Sequence, residues 1–181
     1  MNCAPTSIAM AYNWANDLDK NTGLTAGFIR STYPSSEEGD VDDMDYKSGY
    51  TITQMAEIYK DLGMDIYESS SYTNSETLIS WLNKGYLLNL AVDSEDLTYE
   101  PDKTSRINKS YRGGGGHSII CTGYLYVIVE NPKTGESRET LYFEIVDPAE
   151  GKDNKVRYYT KESMNKMLLN NYCRYIAVKH S

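Results

Sequence analysis

Apolar side chains repeat at helical spacing in the first half of the chain. Three segments carry apolar residues at every third or fourth position, which predicts amphipathic helices. These helices are predicted from Pro5 to about Leu18, from about Thr53 to Leu62 and from about Ser75 to Asn83. Gly63 and Gly85 follow the second and third of them, where glycine commonly ends a helix.

The first predicted helix has its start marked by a proline. Pro5 fits the first helical position, because the backbone N–H that proline lacks would have no partner there. Cys3 is therefore predicted to lie at the N-terminal end of this helix. The apolar face of the helix is predicted to consist of Ala11, Trp14, Ala15 and Leu18.

The second half of the chain changes from helical to strand-like patterns. Continuous or alternating apolar runs predict strands at Tyr86–Val92, His117–Glu130, Leu141–Val146, Val156–Tyr159 and Tyr172–Val178. Thr160 is predicted to cap a further helix that ends near Asn170. Helices followed by an antiparallel sheet indicate the α+β fold class, in a single domain that spans residues 1–181.

The second and third of these strands are predicted to form a hairpin around the turn-forming cluster Asn131–Gly135. If the turn is centred between Pro132 and Thr134, the numbers of paired residues sum to about 264 to 268, because strands pair residue by residue. His117 then lies opposite a residue between 147 and 151. With an even sum, His117 and Asp147 point to the same face of the sheet.

Composition and charge exclude several classes of partner. The chain is 40% hydrophobic and 24% charged, which is near the average for globular proteins. Its net charge of -8 would repel nucleic acids and anionic membranes. No apolar run reaches the ~18 residues of a membrane span. The acidic run from Glu37 to Asp45 is either a solvated loop or a calcium site, and its spacing does not fit an EF-hand.

The three cysteines indicate neither a disulfide framework nor a zinc site. Their number is odd and no Cys-x-x-Cys pair occurs. His117 and Cys121 share one strand face but are about 13 Å apart along it, too far for ligand bonds of about 2.0 to 2.3 Å. No metal and no cofactor is predicted. Cys121 and Cys173 lie in apolar runs, where buried and inert thiols are expected.

Cys3, His117 and Asp147 are the candidate catalytic residues. A thiol at a helix N-terminus is favoured as a thiolate by the helix dipole and by a neighbouring imidazolium. His117 would act as base and acid, and Asp147 would fix its tautomer and orientation. Four glycines precede His117 and would let the backbone run close to a substrate, although the alternative is a flexible loop. The other histidine, His180, is expected to be frayed at the C-terminus.

Three blocks of sequence resemble those of the bacteriocin-processing-peptidase-like (double-glycine peptidase-like) cysteine proteases, a branch of the papain-like superfamily. The blocks are Cys3–Met10, Gly116–Tyr124 and Phe143–Gly151. The resemblance implies a papain-like fold and hydrolysis of a peptide or protein substrate through an acyl-enzyme. It also implies Cys3 as nucleophile, His117 as general base and Asp147 as the residue that orients the base.

The sequence departs from this family before the cysteine. Members carry a glutamine several residues upstream that helps to form the oxyanion hole, whereas only Met1 and Asn2 precede Cys3. We therefore expect either a missing N-terminal segment or a member that has lost activity.

Two other functions stay open at this point. One is a non-catalytic binding module on the same fold, for which the 17 tyrosines would provide recognition surface. The other is a thiol acyltransferase of the transglutaminase-like kind, which shares the order of the three residues. The acidic, tyrosine-rich and asparagine-rich composition favours a secreted or cell-surface bacterial protein.

Overall fold

The computed structural model describes residues 3–19, 21–35, 49–69, 73–93, 116–149, 156–170 and 173–181. Three features of the sequence lie outside these ranges. They are the acidic run from Glu37 to Asp45, the glycines that precede Gly116, and the two residues before Cys3.

In these described ranges, six strands form one antiparallel sheet. They are β1 (Ile66–Glu68), β2 (Tyr86–Asp93), β3 (Gly116–Glu130), β4 (Ser137–Val146), β5 (Val156–Thr160) and β6 (Tyr175–Lys179). Their order across the sheet is β1-β6-β2-β3-β4-β5, and every neighbouring pair is antiparallel. The predicted α+β fold with an antiparallel sheet is confirmed.

The described part of the chain also contains five helices, which cover the two faces of the sheet. They are α1 (Cys3–Ala15), α2 (Ala26–Thr32), α3 (Ile52–Asp61), α4 (Ser75–Leu82) and α5 (Lys161–Asn170). Side chains cap four of them: Thr25 caps α2, Thr51 and Gln54 form a capping box at α3, Asn74 caps α4, and the Thr160 hydroxyl accepts the Ser163 N–H at the start of α5. Within the described ranges, no helix is long and apolar enough to cross a membrane.

The sheet separates two hydrophobic cores. One contains Ile119 and Phe143 and packs against α4 and α5; the other contains Ile120 and packs against α1, α2 and α3. Neighbouring residues of one strand thus enter opposite cores, because side chains alternate along a strand. This double burial explains why the central strands are continuous apolar runs rather than alternating ones.

The first helix differs from its prediction at its C-terminal end. It stops at Ala15 instead of Leu18, because Asp17 adopts a positive φ of 52° and the Leu18 N–H returns to the Asn13 carbonyl. Trp14, predicted to be buried, is 37% exposed and packs edge-on against His180.

His180 is not frayed, contrary to expectation. Its Nε2 lies 3.1 Å from an Asp17 carboxylate oxygen, and its ring contacts Trp14. The following residue also donates its backbone N–H to the Ala15 carbonyl. The C-terminus is therefore fastened to the end of α1.

Candidate active site

Helix α1 presents Cys3 at its first residue. The N–H groups of a first helical turn have no partner within the helix, and the helix dipole is positive there. The Cys3 thiol is free and half-buried. A partly accessible thiol at this place can ionise and still be reached from solvent.

His117 and Asp147 form a buried pair at the start of β3 and the end of β4. His117 Nε2 lies 2.8 Å from Asp147 Oδ1, and both side chains are about 4% exposed. The same Oδ1 accepts the backbone N–H of Ala149 at 2.9 Å, so the carboxylate is held by its own chain as well. Asp147 is thereby oriented to accept a hydrogen bond from the Nε2–H of His117.

A β-bulge brings these two side chains to the same face. Outside the bulge the numbers of paired residues sum to 267, as for Tyr124 and Phe143. On the far side of the bulge from the hairpin turn they sum to 266, as for Ile120 and Val146, because Thr122 is an extra residue in β3. An unbroken sum of 267 would have put Asp147 on the face opposite His117. The sum of 266 is even, and the prediction that His117 and Asp147 share a face is confirmed by their contact. The two residues are not directly opposite each other, so this contact runs diagonally between the strands.

Electrostatics favour the ionised form of Cys3. Burial alone would raise the pKa of its thiol, but a hydrogen bond and the charge of His117 outweigh burial, and backbone amides at Ser118 and Ala4 add to them. The net effect is a lowered pKa. Because Asp147 takes the Nε2 of His117, the Nδ1 of the ring is the nitrogen left for the thiol.

His117 is shifted in the opposite direction. Burial would lower the pKa of its imidazole, whereas the hydrogen bonds and charges of Asp147 and Cys3 raise it to about 9. The two shifts together favour a thiolate paired with an imidazolium. Such a pair is a nucleophile next to a proton donor.

The other two cysteines are chemically different, as predicted. Cys121 and Cys173 are buried, and burial raises the pKa of each thiol to about 12. Of the three thiols, only that of Cys3 has a lowered pKa. Both buried thiols therefore serve as internal references for the reactivity of Cys3.

Sequence reasoning missed the polar residues that support this site. Ser7, Asn89 and Ser118 are buried and hydrogen-bonded beneath it. Two signals were present: Ser7 lies four residues after Cys3, on the same side of a helix, and Asn89 interrupts an otherwise apolar strand.

No family model matches the sequence, and no curated protein matches it. The fold does match solved structures. One is a protein from Bacillus anthracis, provisionally described as a C39-like peptidase, with a TM-score of 0.55 over 99% of this chain and 90% of that one. The two sequences are 12% identical, so the likeness concerns the fold. It supports the predicted papain-like peptidase fold and does not single out the bacteriocin-processing branch.

Proposed function

We propose that this chain is a cysteine peptidase-like hydrolase that cleaves a peptide or amide bond through Cys3, His117 and Asp147. The observation that carries the proposal is the arrangement of the three side chains. A half-buried thiol with a lowered pKa begins α1, and the imidazole that lowers it is held 2.8 Å from a buried carboxylate.

Acylation would use the ion pair as it stands. The Cys3 thiolate attacks the carbonyl carbon and forms a C–S bond, and the oxygen becomes an oxyanion. His117 then gives its Nδ1 proton to the leaving nitrogen as the C–N bond breaks. Asp147 keeps Nε2 protonated and stabilises the imidazolium. The backbone N–H of Cys3, at the start of α1, is a candidate donor to the oxyanion.

Deacylation would restore the pair. Neutral His117 takes a proton from water, and the resulting hydroxide attacks the thioester. The C–S bond breaks, the acid is released, and Cys3 returns as a thiolate beside an imidazolium. Water is the acceptor in this step, which separates a hydrolase from an acyltransferase.

A thiol-directed peptidyl inhibitor tests the proposal. We expect mass mapping to find the label on Cys3 in the wild-type chain and to find it lost in His117→Ala. Cys121 and Cys173 should stay unlabelled in both proteins, because they are buried. Equal labelling of all three cysteines, or none on Cys3, would contradict the proposal.

Turnover separates hydrolysis from the other two functions. A peptide library incubated with the chain should yield free carboxylates, with Cys3→Ala as the inactive control. If an added amine is incorporated instead of water, the chain is a transferase. If Cys3 is labelled but no peptide of the library is altered, a binding module is the better description.

A further inference from the structure

Four polar residues lie buried in the core beneath α1. Ser7, Tyr59 and Asn89 are fully buried and Ser118 is 3% exposed, although their surroundings are apolar side chains of α1, α3 and the sheet. Polar groups in such a place are costly unless each is hydrogen-bonded. Apolar residues of similar size would fill the same space without that requirement.

Hydrogen bonds link these residues into one chain. Ser118 Oγ donates to Asn89 Oδ1 at 2.7 Å, and Asn89 Nδ2 donates to the Tyr59 hydroxyl at 2.8 Å. Ser7 Oγ donates to the Ser118 carbonyl at 3.2 Å. Among the residues that the structure describes, no buried side-chain nitrogen or oxygen lacks a partner. A buried network that is fully satisfied rigidifies the elements it joins.

The network joins the two elements that carry the reacting groups. Ser7 is one helical turn after Cys3, on the same side of α1, and Ser118 directly follows His117 in β3. Because side chains alternate along a strand, Ser118 points away from the face of His117. Its backbone amide is among the groups that favour the Cys3 thiolate. Ser118 is thus held by Asn89 through its hydroxyl and by Ser7 through its carbonyl, while its backbone N–H faces the nucleophile.

We propose that Ser7, Ser118 and Asn89 are positioning residues that hold the first turn of α1 against β3 and so set the position of the Cys3 thiol relative to His117. This inference rests on the proposed function. The three residues touch neither substrate nor reacting atoms in this role. They act by fixing the backbone of Ser118 and the first turn of α1.

The rate of Cys3 alkylation, measured against pH in the folded chain, tests the inference. We expect Ser7→Ala and Ser118→Ala to slow alkylation by iodoacetamide at pH 6.5 about threefold to tenfold, the factor given by loss of one net hydrogen bond. The apparent pKa of Cys3 should rise in both variants. Ser118→Thr keeps the hydroxyl on a strand residue and should restore both values.

Ser69→Ala is the matched control. Ser69 is 3% exposed and its hydroxyl accepts the Tyr175 N–H at 2.9 Å, at the opposite end of the sheet from β4. This variant also loses a hydrogen bond of a buried serine, although one that the hydroxyl accepts rather than donates, and we expect a normal pH profile. If Ser7→Ala and Ser118→Ala lose stability as Ser69→Ala does but keep the wild-type profile, the inference is overturned and the proposed function stands. If wild-type Cys3 is no more reactive than an ordinary thiol, both fail.

Discussion

At the residue scale, Cys3 and His117 link the stability of the fold to pH in opposite directions. The raised pKa of His117 gives stability that is complete below its ordinary value of 6.5 and is lost as pH rises through about 9. The lowered pKa of Cys3 gives stability that is complete above its ordinary value of 9.0 and is lost as pH falls through the lowered pKa.

The two opposite slopes predict a plateau. At a pH that is above both 6.5 and the lowered pKa of Cys3, and below about 9, the folded pair and the unfolded pair each bind one proton, so the two slopes cancel. Urea unfolding of wild type and of the double variant Cys3→Ala, His117→Ala measures the contribution of the pair. We expect the difference in unfolding free energy to be flat in this window and to stay flat above it, because the unfolded Cys3 and the folded His117 both lose their proton near pH 9. If this free-energy difference instead changed steadily with pH across the window, no ion pair would be present in the folded chain.

Asp147 supplies charge as well as orientation. Asp147→Asn keeps an oxygen for Nε2 and for the Ala149 N–H but removes the charge that raises the pKa of His117. We expect an NMR titration of labelled histidine to place His117 below about 9 and turnover to fall roughly tenfold, as when a charged hydrogen bond becomes neutral. Asp147→Ala should lose more. A His117 midpoint that stays near 9 in Asp147→Asn would show that the charge has no such role.

At the element scale, the bulge in β3 takes up one extra residue and so keeps the register of the site. Thr122 is the extra residue: without it, Cys121 and Gly123 would continue opposite Ile145 and Glu144 in a regular ladder. We therefore expect deletion of Thr122 to leave His117 beside Asp147 and Cys3 reactive. Deletion of Glu144 from the facing strand should move Asp147 along the ladder and abolish reactivity.

Circular dichroism and Cys3 alkylation together check this pair of deletions. Both proteins should keep the spectrum of an α+β fold, so that loss of reactivity reports register rather than unfolding. A folded Thr122 deletion with an unreactive Cys3 would mean that the bulge does more than set the register.

The elements that could be predicted from sequence are those with strong periodicity or clear turn chemistry. The hairpin, the helix capped at Thr160 and the two glycine-ended helices were found at nearly their observed bounds. The seven-residue α2 and the three-residue β1 were missed, because so few residues carry no recognisable period. The predicted sums of paired residue numbers included even and odd values, so the sequence alone did not decide whether His117 and Asp147 share a face. The bulge decides it, and threonine at position 122 is not a residue type that marks a bulge.

The three residues of the candidate site were easier to pick out from the sequence than the residues that support them. Cys3, His117 and Asp147 are reactive residue types, and the structure brings together all three. Ser7 and Asn89 act through hydrogen bonds between elements far apart in sequence, and a single sequence does not show such partners. Trp14 was counted in the apolar face of α1 from helical spacing alone. In the structure it is partly exposed, and it packs against His180.

At the scale of the whole molecule, one sheet is shared by two cores. Ile119 and Ile120 are neighbours in β3, and each is buried in a different core. If either layer of helices detached, it would expose one apolar face of the strands whose other face forms the core of the remaining layer. The chain should therefore unfold as one cooperative unit, as small single domains usually do.

The buried thiols of Cys121 and Cys173 can test this cooperativity, because both lie in the core that packs against α4 and α5. Ile119→Val and Ile120→Val remove one methylene each from opposite cores and should each cost about 0.5 to 1.5 kcal/mol. With Cys3 blocked beforehand, alkylation of the two thiols tracks the population of the open form. If opening is global, both variants should accelerate it by a similar factor of roughly two to ten, even though Ile120 lies in the other core. Acceleration by Ile119→Val alone would mean that the two layers open independently.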